Sequence, residues 1–279
     1  MLRTRLLTAA LGIPVLIAIV WVGGALLAAV VALAVAVACI EFATARDVHR
    51  TPIAIAGALC AAALPLLALA GAQYLLGGFV ATIGLVSAVY TTSKDPQRDV
   101  KSWLWSVSTA LYFGGLASFF VLLRDAVLFN PGWSVFPPEP VDEGFGRDLV
   151  FFTLITVWVT DTGAYFVGRA IGRHKLAPAI SPAKTVEGAI GSLVAGFACV
   201  FALNEVLGLG LDVEHRIALG LLLPPVIMVG DLAESAIKRS LGVKDSSGLV
   251  PGHGGIADRL DSLLFAAPLV YYYLKWVVL

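Results

Sequence analysis

Charged side chains are scarce in this chain. Asp, Glu, Lys and Arg make up 14% of its 279 residues, where a soluble domain of this size carries about 25%. Hydrophobic residues account for 59%, and mean hydropathy is +0.90, which excludes an ordinary soluble enzyme and a disordered chain. Cysteine is nearly absent: Cys39, Cys60 and Cys199 all fall in apolar stretches. Their odd number and lack of ligand spacing exclude a disulfide framework and read as buried, inert thiols. There is no G-x-x-x-x-G-K-[ST] phosphate loop and no G-x-G-x-x-G after a strand. No zinc spacing, Ser-His-Asp order or nucleic-acid-binding module is present, so no nucleic-acid partner is expected.

What the chain has is length of apolar run. Windows near the ~20-residue spanning length recur along it. They predict an all-α, polytopic integral membrane protein with nine transmembrane helices, near 6–22, 24–40, 53–70, 74–92, 103–123, 149–167, 187–207, 216–236 and 259–278. The run after Met1–Arg5 is followed at once by another, without a small-residue cleavage site, and reads as a retained first helix. An odd number of spans puts the termini on opposite sides, and basic residues choose the side. With the N-terminus cytoplasmic, Arg3, Arg5, Arg46, Arg50, Lys94, Arg98, Lys101, Arg169, Arg173, Lys175, Lys184, Lys238, Arg239, Lys244 and Arg259 lie inside. Only Arg124, Arg147, Arg216 and Lys275 lie outside, so the C-terminus is expected outside. The expected organisation is N-terminal helices over 1–123, an acidic exterior loop over 124–148, and a catalytic region over 149–279. In the first part Glu41, at an inner helix end, reads as interfacial; Gly114-Gly115 permits close helix approach; and Trp103, Trp105, Trp133 and Trp276 suit the interfacial belt.

Polar residues gather in two later stretches. In the sixth span Asp161 lies about two-thirds along, one turn from Tyr165, and a carboxylate at that depth must face a cavity or a partner. Gly163 and Gly168 permit close approach, and a basic loop leads to Ser181-Pro182-Ala183-Lys184-Thr185-Val186-Glu187-Gly188. Ser181 is placed to cap a helix that starts at Pro182. Gly188, Ser192 and Gly196 form a small-residue face, for internal packing or for a homodimer. Pro224-Pro225 is expected to break or kink the eighth span just before Asp231.

The second stretch runs from Ser235 to Asp261. Asp231, Glu234, Ser235 and Lys238 share one helix face, and Asp258 and Asp261 are spaced i, i+3. Pro251-Gly252-His253-Gly254-Gly255 lets the backbone approach a ligand and point N–H groups at an anion. Asp231, Asp258 and Asp261 repel one another unless a cation intervenes. Carboxylates beside Lys and Arg point to Mg²⁺ holding a polyphosphate, as one or two ions.

Ser235, Lys238, Arg239, Lys244, Asp245, His253, Gly254, Gly255, Asp258, Arg259 and Asp261 together resemble the signature of phosphatidate cytidylyltransferases (CDP-diacylglycerol synthases). The D-x-G-A-Y run at Asp161 and the S-P-x-K-T-x-E-G run at Ser181 resemble a second motif of that family. Val250 and Ser246 stand where the family has larger side chains. The resemblance implies transfer of CMP from CTP to phosphatidic acid, giving CDP-diacylglycerol and pyrophosphate, in the plasma membrane with a cytoplasmic active site. It implies catalytic roles for Asp231, Lys238, Arg239, Lys244, Asp245, His253, Asp258 and Asp261, with Asp231, Asp258 and Asp261 as metal ligands. Asp161, Ser181, Lys184, Thr185, Ser235, Gly254, Gly255 and Arg259 would bind substrate. Two alternatives stand beside it: a nucleotidyltransferase with another lipid acceptor, and an ion-coupled carrier using Asp161 and Asp231. Pyrophosphate release from CTP and phosphatidic acid separates enzyme from carrier.

Overall fold

The computed structural model describes residues 2–46, 51–125, 144–250, 252 and 254–278. Arg50, Trp133, Pro251, His253 and most of the expected exterior loop lie outside the described residues. The helices are α1 Leu2–Val22, α2 Gly24–Ala45, α3 Pro52–Ala70, α4 Gln73–Thr91, α5 Pro96–Thr109, α6 Leu116–Arg124, α7 Phe145–Ile171, α8 Val186–Leu207, α9 Val213–Ser240, α10 Ala257–Leu260 and α11 Leu263–Tyr273. A π-helical turn, Ala110–Gly115, joins α5 to α6, and another, Leu274–Val278, follows α11.

Among the described residues seven helices are long and apolar enough to cross a membrane: α2, α3, α4, the composite Asp99–Arg124, α7, α8 and α9. They match the second to eighth predicted spans within a few residues. The first predicted span, 6–22, lies within the 21-residue α1; the last one differs. The last is divided: the Asp261 carboxylate accepts the Ser262 N–H at 2.6 Å. A side chain competes there for a backbone donor, and α11 starts only at Leu263.

Three further expectations are corrected. The chain is not purely helical: β1 Lys175–Ala177 and β2 Ser181–Thr185 pair antiparallel, with Lys175 opposite Thr185 and Ala177 opposite Ser181. Ser181 therefore sits in a strand and caps nothing, and the first helical residue is Val186. Of the break or kink expected at Pro224 and Pro225, the break is absent, because α9 runs through both. Membrane helices tolerate proline where local adjustments re-satisfy the freed backbone groups.

The chain forms two compact units, Met1–Asp125 with Leu241–Leu260, and Ala126–Ser240 with Asp261–Leu279. In the first, α3 starts as the sequence dictates: Thr51 accepts the Ala54 N–H at 3.2 Å and Pro52 takes the first helical position. Phe42 packs edge-on against Phe113 at 5.0 Å and stacks on Trp105 at 6.3 Å. The π-helical turn brings Gly114 against α3, where a Cβ would lie 2.5 Å from the Ala61 carbonyl oxygen.

In the second unit, small residues set the helix spacing. A Cβ at Gly163 of α7 would stand 2.5 Å from the Ala195 side chain of α8. One at Gly196 would stand 2.6 Å from both Thr160 and Pro224. The small-residue face of α8 is thus spent on α7 and α9 inside this unit, which answers the choice between internal packing and dimerisation for that face.

Candidate active site

In the second unit the site is built where α7 ends and α8 begins. Thr185 has extended backbone angles, and its hydroxyl accepts the Gly188 N–H at 3.1 Å, so Thr185 is the N-cap of α8. Glu187 in the first turn of α8 reaches back to the connecting loop. It accepts the Arg173 N–H at 3.0 Å and meets His174 Nδ1 at 2.6 Å. With the β1–β2 pairing, these bonds hold the basic loop in one shape and fix Lys184, on β2.

Lys184 Nζ lies 2.7 Å from Asp231 Oδ2, and Asp231 Oδ1 accepts a hydrogen bond from Ser235 at 3.2 Å. Both partners of this ion pair are partly exposed, at 21% and 31% of their side-chain surface, because they open onto a cavity of about 620 Å³. Asp161, Tyr165 and Arg169 line the same cavity, as does Thr185. These first three residues lie at i, i+4 and i+8 on α7, one stripe of a helix. Arg169 donates to the Tyr165 hydroxyl at 2.7 Å, with its guanidinium 5.9 Å from the ring centroid. A guanidinium steadied by a phenol hydroxyl is a preset donor for an anion. The cavity thus carries carboxylates able to take a cation and cations able to take a phosphate.

The rest of the shared face of α9 is internal. Glu234 is fully buried and pairs with Lys238 at 3.0 Å. Arg239 is exposed and donates to the Ile180 carbonyl at 3.2 Å, tying α9 to the turn before β2. Neither Lys238 nor Arg239 lines the cavity. Gly230 abuts the last stretch of the chain, since a Cβ there would lie 2.9 Å from the Asp261 carbonyl oxygen.

Apart from Asp261, the remaining described signature residues belong to the first unit. Lys244 and Asp245 are exposed on the loop after α9, and Arg259 is exposed on α10. Asp258 is buried; its Oδ2 accepts the Ser246 N–H at 2.9 Å and the Gly255 N–H at 2.8 Å, and lies 3.0 Å from the Ser246 hydroxyl. Val250 donates to the Gly254 carbonyl at 2.8 Å, closing the glycine-rich turn, and Gly254 needs its positive φ of 82°.

The structure therefore brings Asp161, Lys184, Thr185 and Asp231 to one cavity, with Ser235 behind Asp231. Ser181 sits in β2, Lys238 and Arg239 bind within α9 and to the loop, and Asp258, Gly254 and Gly255 share one braced loop. His253 lies outside the described residues. Two residues go beyond what the sequence leads one to expect. Arg169 counts there only as a loop charge, although its spacing from Tyr165 and Asp161 is a usable signal. Glu41, expected to be interfacial, is buried, at 6% exposure, accepting bonds from Ser246, Ser247, Ile256 and Ala257. A lone carboxylate in an otherwise apolar helix was the available sign.

The cavity pairs carboxylates with cations in a chain rich in long apolar helices. The chain belongs to the cytidylyltransferase family, whose profile matches residues 3–277. It is 43% identical over 130 residues to a phosphatidate cytidylyltransferase of Bacillus subtilis, a match covering 47% of this chain and 48% of that protein. Identity to the phosphatidate cytidylyltransferase of Staphylococcus saprophyticus is 47% over 131 residues, covering 45% and 48%. That of Staphylococcus epidermidis is 35% identical over 212 residues, covering 69% and 79%. The chain spans about half the length of the first two relatives.

Proposed function

We propose that this protein transfers CMP from CTP to phosphatidic acid, forming CDP-diacylglycerol and releasing pyrophosphate. The observation that carries the reading is the convergence of Asp161, Lys184, Thr185 and Asp231 on one cavity in a chain of this family. Those residues come from two motifs well separated in sequence.

The chemistry asks little of a general base. A lipid phosphate oxygen, already anionic at neutral pH, attacks the α-phosphorus of CTP; the bond from that phosphorus to the bridging oxygen breaks, and pyrophosphate leaves with the electron pair. The barrier is the approach of two anions and their alignment. Lys184 and Arg169 supply positive charge inside the cavity, and the exposed Lys244 and Arg259 supply it on the signature loop. Thr185 keeps the start of α8 fixed beside Lys184.

Magnesium fits the donors present. Asp231 already binds one cation, the Lys184 ammonium, and a carboxylate oxygen in a polar-walled cavity is the hard donor Mg²⁺ takes. Asp231 would hold it, with Asp261, in the same unit, as a further carboxylate the signature supplies. The ion would neutralise the polyphosphate and stabilise the leaving group.

We further infer nine crossings with the N-terminus cytoplasmic and the C-terminus outside, in the plasma membrane, with the cavity served by cytosolic CTP. The seven long apolar helices and the inside bias of Lys and Arg support this. Maleimide labelling of Asp245→Cys should occur from the cytoplasmic side only. The function itself is tested with purified protein, CTP, phosphatidic acid and Mg²⁺. Release of pyrophosphate together with a CDP-lipid product is expected, and its absence would end the proposal.

A further inference from the structure

We propose that Glu41, on α2, is a positioning residue that holds the signature loop in its working shape. This rests on the catalytic reading of that loop, and on contacts lying wholly within the first unit. Glu41 Oε1 accepts the Ile256 N–H at 3.0 Å and the Ser247 hydroxyl at 2.6 Å. Its Oε2 accepts the Ala257 N–H at 2.9 Å and lies 3.0 Å from the Ser246 hydroxyl. All four donors come from the loop or from the start of α10, so both ends of the glycine-rich turn are tied to one carboxylate.

No cation lies within ion-pairing distance of Glu41 among the described residues. A buried charge must be compensated, and here the compensation comes from hydrogen bonds donated by the loop. The carboxylate and the loop conformation are therefore coupled, each depending on the other. Nothing in α2 needs this carboxylate: the helix ends through backbone bonds from Arg46 to Phe42 and Thr44.

Two details show how closely the loop is fitted to it. A Cβ on Gly255 would lie 2.5 Å from Glu41 Oε2 and would overlap the Ser246 hydroxyl. Ser246 Oγ also lies 3.0 Å from Asp258 Oδ2, so one hydroxyl, with a single proton to donate, sits between two carboxylates. Glu41 thus acts on the loop that carries Lys244, Asp245 and Arg259 without being a group that touches substrate.

The test combines Glu41→Gln with Ser247→Ala, which removes one tether from the loop side and leaves α2 intact. Hydrogen–deuterium exchange is followed in peptides covering 246–257, and kcat and KM for CTP are measured on the same preparations. Exchange of that segment in Glu41→Gln is expected to rise about tenfold while α3 and α4 exchange as before. The kcat should fall about tenfold with KM changed less than about twofold, as for groups misplaced in the transition state. Ser247→Ala should shift both readouts in the same direction by a smaller factor. Unchanged exchange in 246–257 in both variants, or acceleration spread evenly through α2 and α3, overturns the proposal. Failure of the wild-type protein to turn over CTP would overturn the function instead, and the exchange data would still decide the tether.

Discussion

Each unit holds a carboxylate-centred network, and the two are satisfied in different ways. In the first unit Glu41 and Asp258 are buried and both take backbone N–H donors, with serine hydroxyls beside them. In the second, Asp231 faces a cavity and is matched by the Lys184 ammonium. A carboxylate closed in by neutral donors is a structural fastening, because its lone pairs are spent on the chain itself. A carboxylate held by a movable lysine beside open space can change partners. The contrast assigns shape-keeping to the first network and ligand handling to the second.

The largest expected effect comes from breaking the open network. Asp231→Asn removes the charge that holds Lys184 and the hard oxygen proposed for Mg²⁺, and should lower kcat/KM by about a thousandfold, near 4 kcal/mol of transition-state stabilisation. Incorporation of labelled CTP into lipid measures it. The variant should stay folded, since the position is partly exposed, and wild-type turnover would refute the ligand-handling role. Chelation of divalent ions should abolish wild-type turnover in the same assay, with recovery on adding Mg²⁺.

The closed network should respond in the opposite sense, in stability before chemistry. Gly255→Ala places a methyl against Glu41 Oε2 and the Ser246 hydroxyl, and overpacking of this kind costs about 3 kcal/mol. Thermal unfolding of purified protein in detergent should show the loss. An alanine tolerated at full stability would mean that the loop relaxes freely, and the contrast between fastening and handling would blur.

Legibility in the sequence followed the range of the forces involved. Seven helices were readable because hydropathy over a spanning length is a local sum that needs no knowledge of neighbours. The cavity residues Asp161, Lys184, Thr185 and Asp231 were readable because they stand in polar motifs within apolar surroundings. The β1–β2 pair escaped, since three and five residues of mixed polarity carry no alternation strong enough to mark a strand. The gap before α11 depends on one local hydrogen bond, from the Ser262 N–H to the Asp261 side chain. Glu41 escaped for the plainest reason: its partner Ser246 is 205 residues away along the chain, and only the fold reveals what compensates it.

The finest comparison uses two serines that each bind an aspartate. Ser246 is buried at 8% exposure and stands between Asp258 and Glu41. Replacing it with alanine removes a hydrogen bond to charged groups in a closed site, expected to cost about 2 kcal/mol in unfolding experiments. Ser235 donates to Asp231 at 3.2 Å, and that aspartate lines an open cavity and is partly exposed. Ser235→Ala should therefore cost about 0.5 kcal/mol and change turnover by about twofold at most. The two variants delete the same chemical group, so the difference between them measures what enclosure and a second carboxylate add. Equal costs would show that the networks differ in composition but not in function.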